Sequence, residues 1–381
     1  MLLRNTLASG VLTREPGLRS ARLLGFAVLL VWSLWRSPSQ QGTTYQVNKQ
    51  APPGPKFHHW TKTKSWLCPG RVPNLTAAIT TFQLAQQIGL KRRGKENTEV
   101  PALSAEDIKN YFSFWPGHVY FRDEKTNKTA AFLRTYKCGS ETIEGYFVQL
   151  SSLGEREQLI DLPDFLKSPA RESDCIGAAF RDPMDHFFSG LGELEMRRTR
   201  LIDKGFDEER MLPDYERMDI LSEDRLVAFI EFLLRGDWFD LRDDKDKRVP
   251  YHWLDFGHVF PQSGYLVGLL NANRSVSTFI DLKNLTSALP KVLEEECGLP
   301  KGLPELETIH LHDKVPGLSG VYKKFWAKGS TKELTGTPKL PIIQALCLFH
   351  VMDYACLAPE LKAPPPEVCA EVFYEYLSEG S

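Results

Sequence analysis

From about residue 100 onward, apolar runs of strand length alternate with segments of helical pattern, and that alternation leaves few architectures open to the chain. The run "AAFLRTY" precedes "SETIEGYFVQL", "CIGAAFR" precedes "PMDHFFSGLGELEMRR", and "VSTFIDL" precedes "NLTSALPKVLEEEC". Strands separated by helices pair side by side with the helices packed on their faces, so the pattern predicts an α/β layer with a parallel sheet. Two further helices are expected. "SEDRLVAFIEFLLRG" opens with a serine cap and acids, and "PIIQALCLFHVMDYACL" opens with a proline at a first-turn position. No internal repeat is found. The chain has 381 residues, 42% of them hydrophobic, enough for one large or two modest domains.

The N-terminal part reads differently. Residues 1–36 carry Arg4, Arg14, Arg19, Arg22 and Arg36 against a single acid, Glu15, and enclose "LLGFAVLLVWSLW" at 23–35. The run is shorter than the usual span of about 20 apolar residues, yet a thin early-secretory membrane accommodates it as an anchor. Arginines ahead of the run favour a cytoplasmic N-terminus and a lumenal body. A cleaved signal peptide and an Arg-rich organelle transit peptide are the alternatives. The polar, proline-bearing stretch at 37–66 reads as a stem, and 67–127 as an N-terminal extension of the lumenal body. Sequons at Asn74, Asn127, Asn273 and Asn284 agree with a lumenal address. A formal net charge of −2 disfavours a nucleic-acid partner, which would need a basic face.

The seven cysteines show no C-x-x-C or Cys/His spacing that would suggest zinc. Cys356 and Cys369 flank the stiff turn "LAPELKAPPPEV" and are the pair expected to be bridged in an oxidising lumen, the others being read as mostly buried thiols.

Two stretches carry candidate chemistry. In an open α/β sheet, ligands sit beyond the carboxyl ends of strands, where helix N-termini point amides at an anion. "KCGSET" occupies such a turn: Lys137 supplies a compact charge, Gly139 lets the backbone approach, and Ser140 and Thr142 offer hydroxyls. A serine cap beside an exposed lysine reads equally well from this motif alone. "RDPMDHFFS" then places Arg181 at a strand end, Pro183 at the first position of a helix and Ser189 six residues later. An arginine there forks onto a phosphate, although an Arg–Asp pair capping the helix would use the same residues.

A lysine-bearing strand–loop–helix followed about forty residues on by R-D-P-x-x-x-x-x-S resembles the sulfotransferase superfamily. The resemblance implies 3′-phosphoadenosine 5′-phosphosulfate (PAPS) as sulfuryl donor. Lys137, Cys138, Gly139, Ser140 and Thr142 would then hold the 5′-phosphosulfate, and Arg181 and Ser189 the 3′-phosphate. "HVFPQSGYL" at 258–266 is similar to the H-x-x-P-Q segment of membrane-anchored, carbohydrate-directed Golgi members, and "DYACLAPELKAPPPEVC" to their C-terminal helix. The likeness covers residues 128–372. The implied fold is α/β, a P-loop-like three-layer α/β/α with a central parallel sheet at 128–381, behind an anchor and stem; G-x-x-x-x-G-K-[ST] itself is absent. The implied setting is a single-pass type II Golgi membrane protein acting on a carbohydrate or other hydroxyl acceptor. The chain departs from the family at Glu141, where a hydroxyl or small residue is usual, which displaces Thr142 by one place. It departs again at His186, where arginine is common.

Sulfuryl transfer asks for positioning and charge stabilisation, and this scheme needs no metal. Lys137 is the first catalytic candidate. His258 is the expected general base, with Glu144 the runner-up and Glu141 third. His252, Asp255 and Asp353 are candidates for the acceptor side or for structure. Two other classes fit the same outline: a lumenal glycosyltransferase holding a divalent ion through Asp244 and Asp246 of "DDKDK", and a non-catalytic PAPS-binding membrane protein.

Overall fold

The computed structural model describes residues 64–69, 73–90, 103–112, 117–159, 162–203, 215, 218–237, 256–271, 273–306, 315–326, 331–357 and 365–377. The expected anchor, and Asp244, Asp246, His252 and Asp255, lie outside the described residues. Among the described residues no helix is long and apolar enough to cross a membrane.

In chain order, the main elements are α1 (Leu75–Leu90), β1 (His118–Asp123), β2 (Thr129–Leu133), α2 (Ser140–Leu150), β3 (Gly154–Leu159), β4 (Cys175–Phe180), α3 (Pro183–Asp203), α4 (Glu223–Arg235), β5 (Thr278–Asp281), α5 (Leu285–Glu295), α6 (Leu340–Phe349), α7 (Val351–Cys356) and α8 (Glu367–Leu377). The strands form a five-stranded sheet in the order β3-β1-β2-β4-β5.

The sheet is mixed, which corrects the expectation of a wholly parallel one. β2, β4 and β5 pair in parallel, with Phe132 opposite Gly177 and Ala178 opposite Phe279. β1 is antiparallel to both β2 and β3. The physical reason is the short turn after Asp123, which returns the chain directly into β2; so tight a connection only permits antiparallel neighbours.

Alternate strand residues feed two separate cores, so helices cover both faces. Tyr120, Ala131, Leu133, Ile176, Ala178 and Phe180 join the core built with α1, α3, α4, α6, α7 and α8. Val119, Phe121, Ala130, Phe132 and Ala179 join the core built with α2 and α5. Every residue of β4 is buried, as a strand covered on both faces requires. α4 begins as its sequence predicts: Ser222 accepts from the Arg225 backbone N–H at 3.1 Å, and Gly236 ends the helix in the left-handed region.

The cysteine expectation is overturned. Disulfides join Cys68 to Cys356, Cys175 to Cys297 and Cys347 to Cys369, leaving Cys138 as a buried thiol. Helix packing decides the pairing, not proximity along the chain. α8 lies against α6, which brings Cys369 to Cys347, while Cys356 at the end of α7 meets the segment that leads into α1.

Candidate functional site

The carboxyl ends of β2 and β4 lie side by side, and the helices that follow them leave toward opposite faces. α2 sends Ile143, Tyr146, Phe147 and Leu150 into one core, whereas α3 sends Met184, Phe187, Leu191 and Leu194 into the other. Divergence of this kind opens a crevice beyond the strand ends, the usual place for a ligand in an α/β sheet.

The turn from β2 to α2 is tightly wound. Lys137 (φ 56°) and Gly139 (φ 83°) are both in the left-handed region, an uncommon state for a lysine. A Cβ on Gly139 would come within 2.4 Å of Leu285, so glycine is needed there for space as well as for conformation. Gly139 is the N-cap of α2 and gives the helix no side-chain cap, which leaves its first-turn amides to other acceptors. Ser140 is half-buried in that first turn, and Thr142 is buried. The Cys138 thiol points inward; burial pushes its pKa up to about 12, and its Sγ donates to Gln262 Oε1 at 3.0 Å. Its backbone N–H is turned to Thr135 O at 3.2 Å.

The second stretch meets the first. The Arg181 guanidinium donates from Nη1 to Lys137 O at 3.3 Å, so both predicted cations stand at one crevice. Asp182 has a different role: its Oδ1 accepts from the backbone N–H groups of Met184 and Asp185, each at 3.0 Å, and so caps α3. His186 is buried, with Nε2 at 3.0 Å from Tyr136 O, and burial lowers its pKa to about 3.

α3 meets the lysine turn through Glu193. Ser189, Glu193 and Arg197 follow at i, i+4 and i+8, and Ser189 is half-buried. Glu193, whose side chain is 2% exposed, bridges two cations: Lys137 Nζ at 2.9 Å and Arg197 Nε at 2.7 Å. Burial alone would raise the Glu193 carboxyl, but hydrogen bonds and charge from Lys137 and Arg197 outweigh it and bring the pKa down to about 2. Gly190 lets α3 approach the segment around His258, since a Cβ there would lie 1.9 Å from His258 O.

His258 stacks on Tyr136 with ring centroids 4.3 Å apart and planes 15° apart. Its Nδ1 is buried and finds no hydrogen-bond partner among the described residues. Burial, followed by the nearby charges of Arg197 and Lys137, holds its pKa well below the ordinary value of 6.5. The ring is therefore neutral near pH 7. Glu144 is placed elsewhere: it pairs with Arg134 at 2.8 Å and Arg156 at 3.7 Å. Glu141 is half-buried in the first turn of α2. Asp353 is buried and accepts from the backbone N–H groups of Gln262 at 3.0 Å and Ser263 at 2.7 Å.

The structure thus brings Lys137, Arg181 and the α2 N-terminus to one place, with Glu193 of α3 on Lys137 and His258 against Tyr136 beside them, and Ser189 stands one helical turn before Glu193. Glu193, Arg197, Tyr136 and Gln262 belong to the same constellation and were not singled out from the sequence. The spacing of Glu193 and Arg197 from Ser189 was the available signal. Among the described residues, no group of His, Cys, Asp and Glu is placed to hold a metal ion. Comparison of the chain with protein-family models, curated proteins and solved structures gave no match.

Proposed function

We propose that this chain is a PAPS-dependent sulfotransferase with a P-loop-like α/β/α body, moving a sulfuryl group to a hydroxyl on a carbohydrate chain. The observation that carries the reading is the contact between the Lys137 turn and Arg181. Two cations from adjacent parallel strands, beside a helix N-terminus without a side-chain cap, suit a ligand with two separate anionic groups. Lys137 and the first-turn amides and hydroxyl of α2 would hold the 5′-phosphosulfate, and Arg181 with Ser189 the 3′-phosphate.

In the reaction the acceptor oxygen forms a bond to sulfur in line with the breaking S–O bond to phosphate, and 3′-phosphoadenosine 5′-phosphate leaves. Lys137 neutralises the charge that gathers on the bridging oxygen and the departing phosphate. His258 takes the acceptor proton, and the Glu193 carboxylate nearby favours the imidazolium so formed. Glu144, held by two guanidinium groups, is the weaker candidate base. The test is transfer of labelled sulfuryl from PAPS to a panel of glycans with chelator present. Metal-independent labelling of one glycan class supports the reading, and turnover of nucleotide sugars in its place contradicts it.

We further propose a lumenal, type II Golgi placement, supported by the three disulfides and the exposed sequons. Asn127, Asn273 and Asn284 are exposed. Asn74 is not available in the same way: its Nδ2 donates to Trp66 O at 3.1 Å, and its Oδ1 accepts from the backbone N–H groups of Thr76 and Ala77 to cap α1. A glycan on that nitrogen would displace the Trp66 contact. Mass spectrometry of enzymatically deglycosylated peptides is expected to find occupancy at Asn127, Asn273 and Asn284 and none at Asn74. An unglycosylated chain from a secretory host would contradict the placement.

A further inference from the structure

The two anion-binding segments come from different strand ends, and one side chain from a third segment touches both. Gln262 is fully buried. Its Oε1 accepts from Arg181 N–H at 3.0 Å and from the Cys138 thiol at 3.0 Å, while its Nε2 donates to Arg181 O at 2.9 Å. The carboxamide orientation is fixed by these partners, because the flipped amide would face N–H against N–H and oxygen against oxygen. Arg181 lies one residue beyond β4, so the carboxamide continues the ladder where the strand has ended. Through Cys138 the same oxygen is joined to the residue that follows Lys137.

The Gln262 main chain is itself anchored. The Asp353 carboxylate accepts from the N–H groups of Gln262 and Ser263, and His350 Nδ1 stands 3.2 Å from Asp353 Oδ2. Asp353 and His350 are both fully buried, so the support comes from the rigid α6–α7 junction and not from a loop. Hydrogen bonds to a buried carboxylate are stronger than neutral ones and tolerate little displacement.

We propose that Gln262 is a positioning residue that sets the spacing between the Lys137 turn and Arg181, and thereby makes the site select a nucleotide 3′,5′-bisphosphate over a 5′-monophosphate. The proposal rests on the assignment of those two segments to the two phosphates. Ribose holds the phosphates at a set separation. A receptor whose halves are locked at that separation gains the second contact without ordering cost, whereas uncoupled halves lose part of the gain in fixing themselves. Loss of Gln262 therefore weakens bisphosphate binding more than monophosphate binding, which a general loosening of the fold would not do.

The test is calorimetric titration of the full chain with 3′-phosphoadenosine 5′-phosphate and with adenosine 5′-monophosphate. The wild type is expected to prefer the bisphosphate, and Gln262→Ala to lower the ratio of the two affinities by about tenfold, the worth of one or two buried hydrogen bonds. Cys138→Ala, which spares both Arg181 bonds, should lower the ratio by a smaller factor. It carries the test if Gln262→Ala does not fold. An unchanged ratio in the folded variants overturns the positioning role alone. A wild type with no preference for the bisphosphate overturns the phosphate assignment first and this inference with it.

Discussion

Replacing Lys137 by alanine is expected to lower kcat for sulfuryl transfer by about 10²–10³-fold, the usual cost of removing one charge-stabilising group from a transition state. Binding of 3′-phosphoadenosine 5′-phosphate should fall by much less, because Arg181, the α2 amides and the hydroxyls remain. The environment of Lys137 explains the asymmetry. Its ammonium is held at 2.9 Å from the buried Glu193 carboxylate, which fixes its position before any ligand arrives. Arg197 at 2.7 Å keeps that carboxylate paired when the lysine is gone, so the variant does not strand an uncompensated buried charge. Single-turnover assays beside equilibrium binding check this. Wild-type kcat in the variant would remove Lys137 from the chemistry, and an equal loss in binding and kcat/KM with kcat unchanged would make it a binding group only.

The second large effect is on stability in mild acid. His118, His186 and His258 are buried, and burial lowers their pKa values to about 3, to about 3 and well below 6.5 respectively. The unfolded chain takes up these protons near the ordinary value of 6.5 while the folded chain does not. The stabilisation is thus complete above that pH and is lost as pH falls from 6.5 toward 3. Each group contributes about 1.4 kcal/mol per pH unit within the window, so going from pH 7 to 5.5 should remove roughly 4 kcal/mol in all. For a chain of this size that lowers Tm by roughly 5–10 °C. Glu193, with its pKa brought down from 4.5 to about 2, adds to the loss only below about pH 4.5. Thermal melts across the range test the sum. His118→Phe, at the start of β1 and packed on Phe165, should remove about a third of the slope. Constant Tm between pH 7 and 5.5 would contradict the buried neutral state of these rings.

Much of the sheet's parallel half was legible from sequence because it depends on local signals. β2, β4 and β5 are apolar runs followed by helices, and α2 and α3 start at a glycine turn and at a proline with an aspartate cap. The other half was less legible. β3 reads "GEREQL", a charged stretch that forms a strand at the sheet edge, where charge is tolerated and guards against pairing with other chains. Its partner β1 sits before the first recognisable alternation, and the tight turn into β2 makes the sheet mixed. The disulfides were missed because Cys356 and Cys369 are close in sequence but lie on helices packed against different neighbours.

The candidate site divides in the same way. Lys137, Gly139 and Arg181 lie on turns whose chemistry is written in consecutive residues, and their meeting follows from the adjacency of two parallel strands. Glu193 and Gln262 matter through tertiary contact, with Lys137 and with Arg181 and Cys138, while Arg197 joins through its i,i+4 pair with Glu193. A glutamate nearly three turns into α3 is marked locally only by its spacing from Ser189 and Arg197, which does not reveal Lys137, and a glutamine after a proline carries no local mark of Arg181. Glu144 illustrates the converse. Its place one turn into α2 suits a base in the sequence, yet Arg134 just after β2 and Arg156 in β3 engage it.

The most direct measurement of the central claim is calorimetric titration of the full chain with 3′-phosphoadenosine 5′-phosphate, beside Arg181→Ala. The account predicts saturable binding at a single site, weakened at least about tenfold in the variant by loss of a charge-assisted phosphate contact. Absence of binding by the folded wild type, or equal affinity in the two proteins, would contradict it.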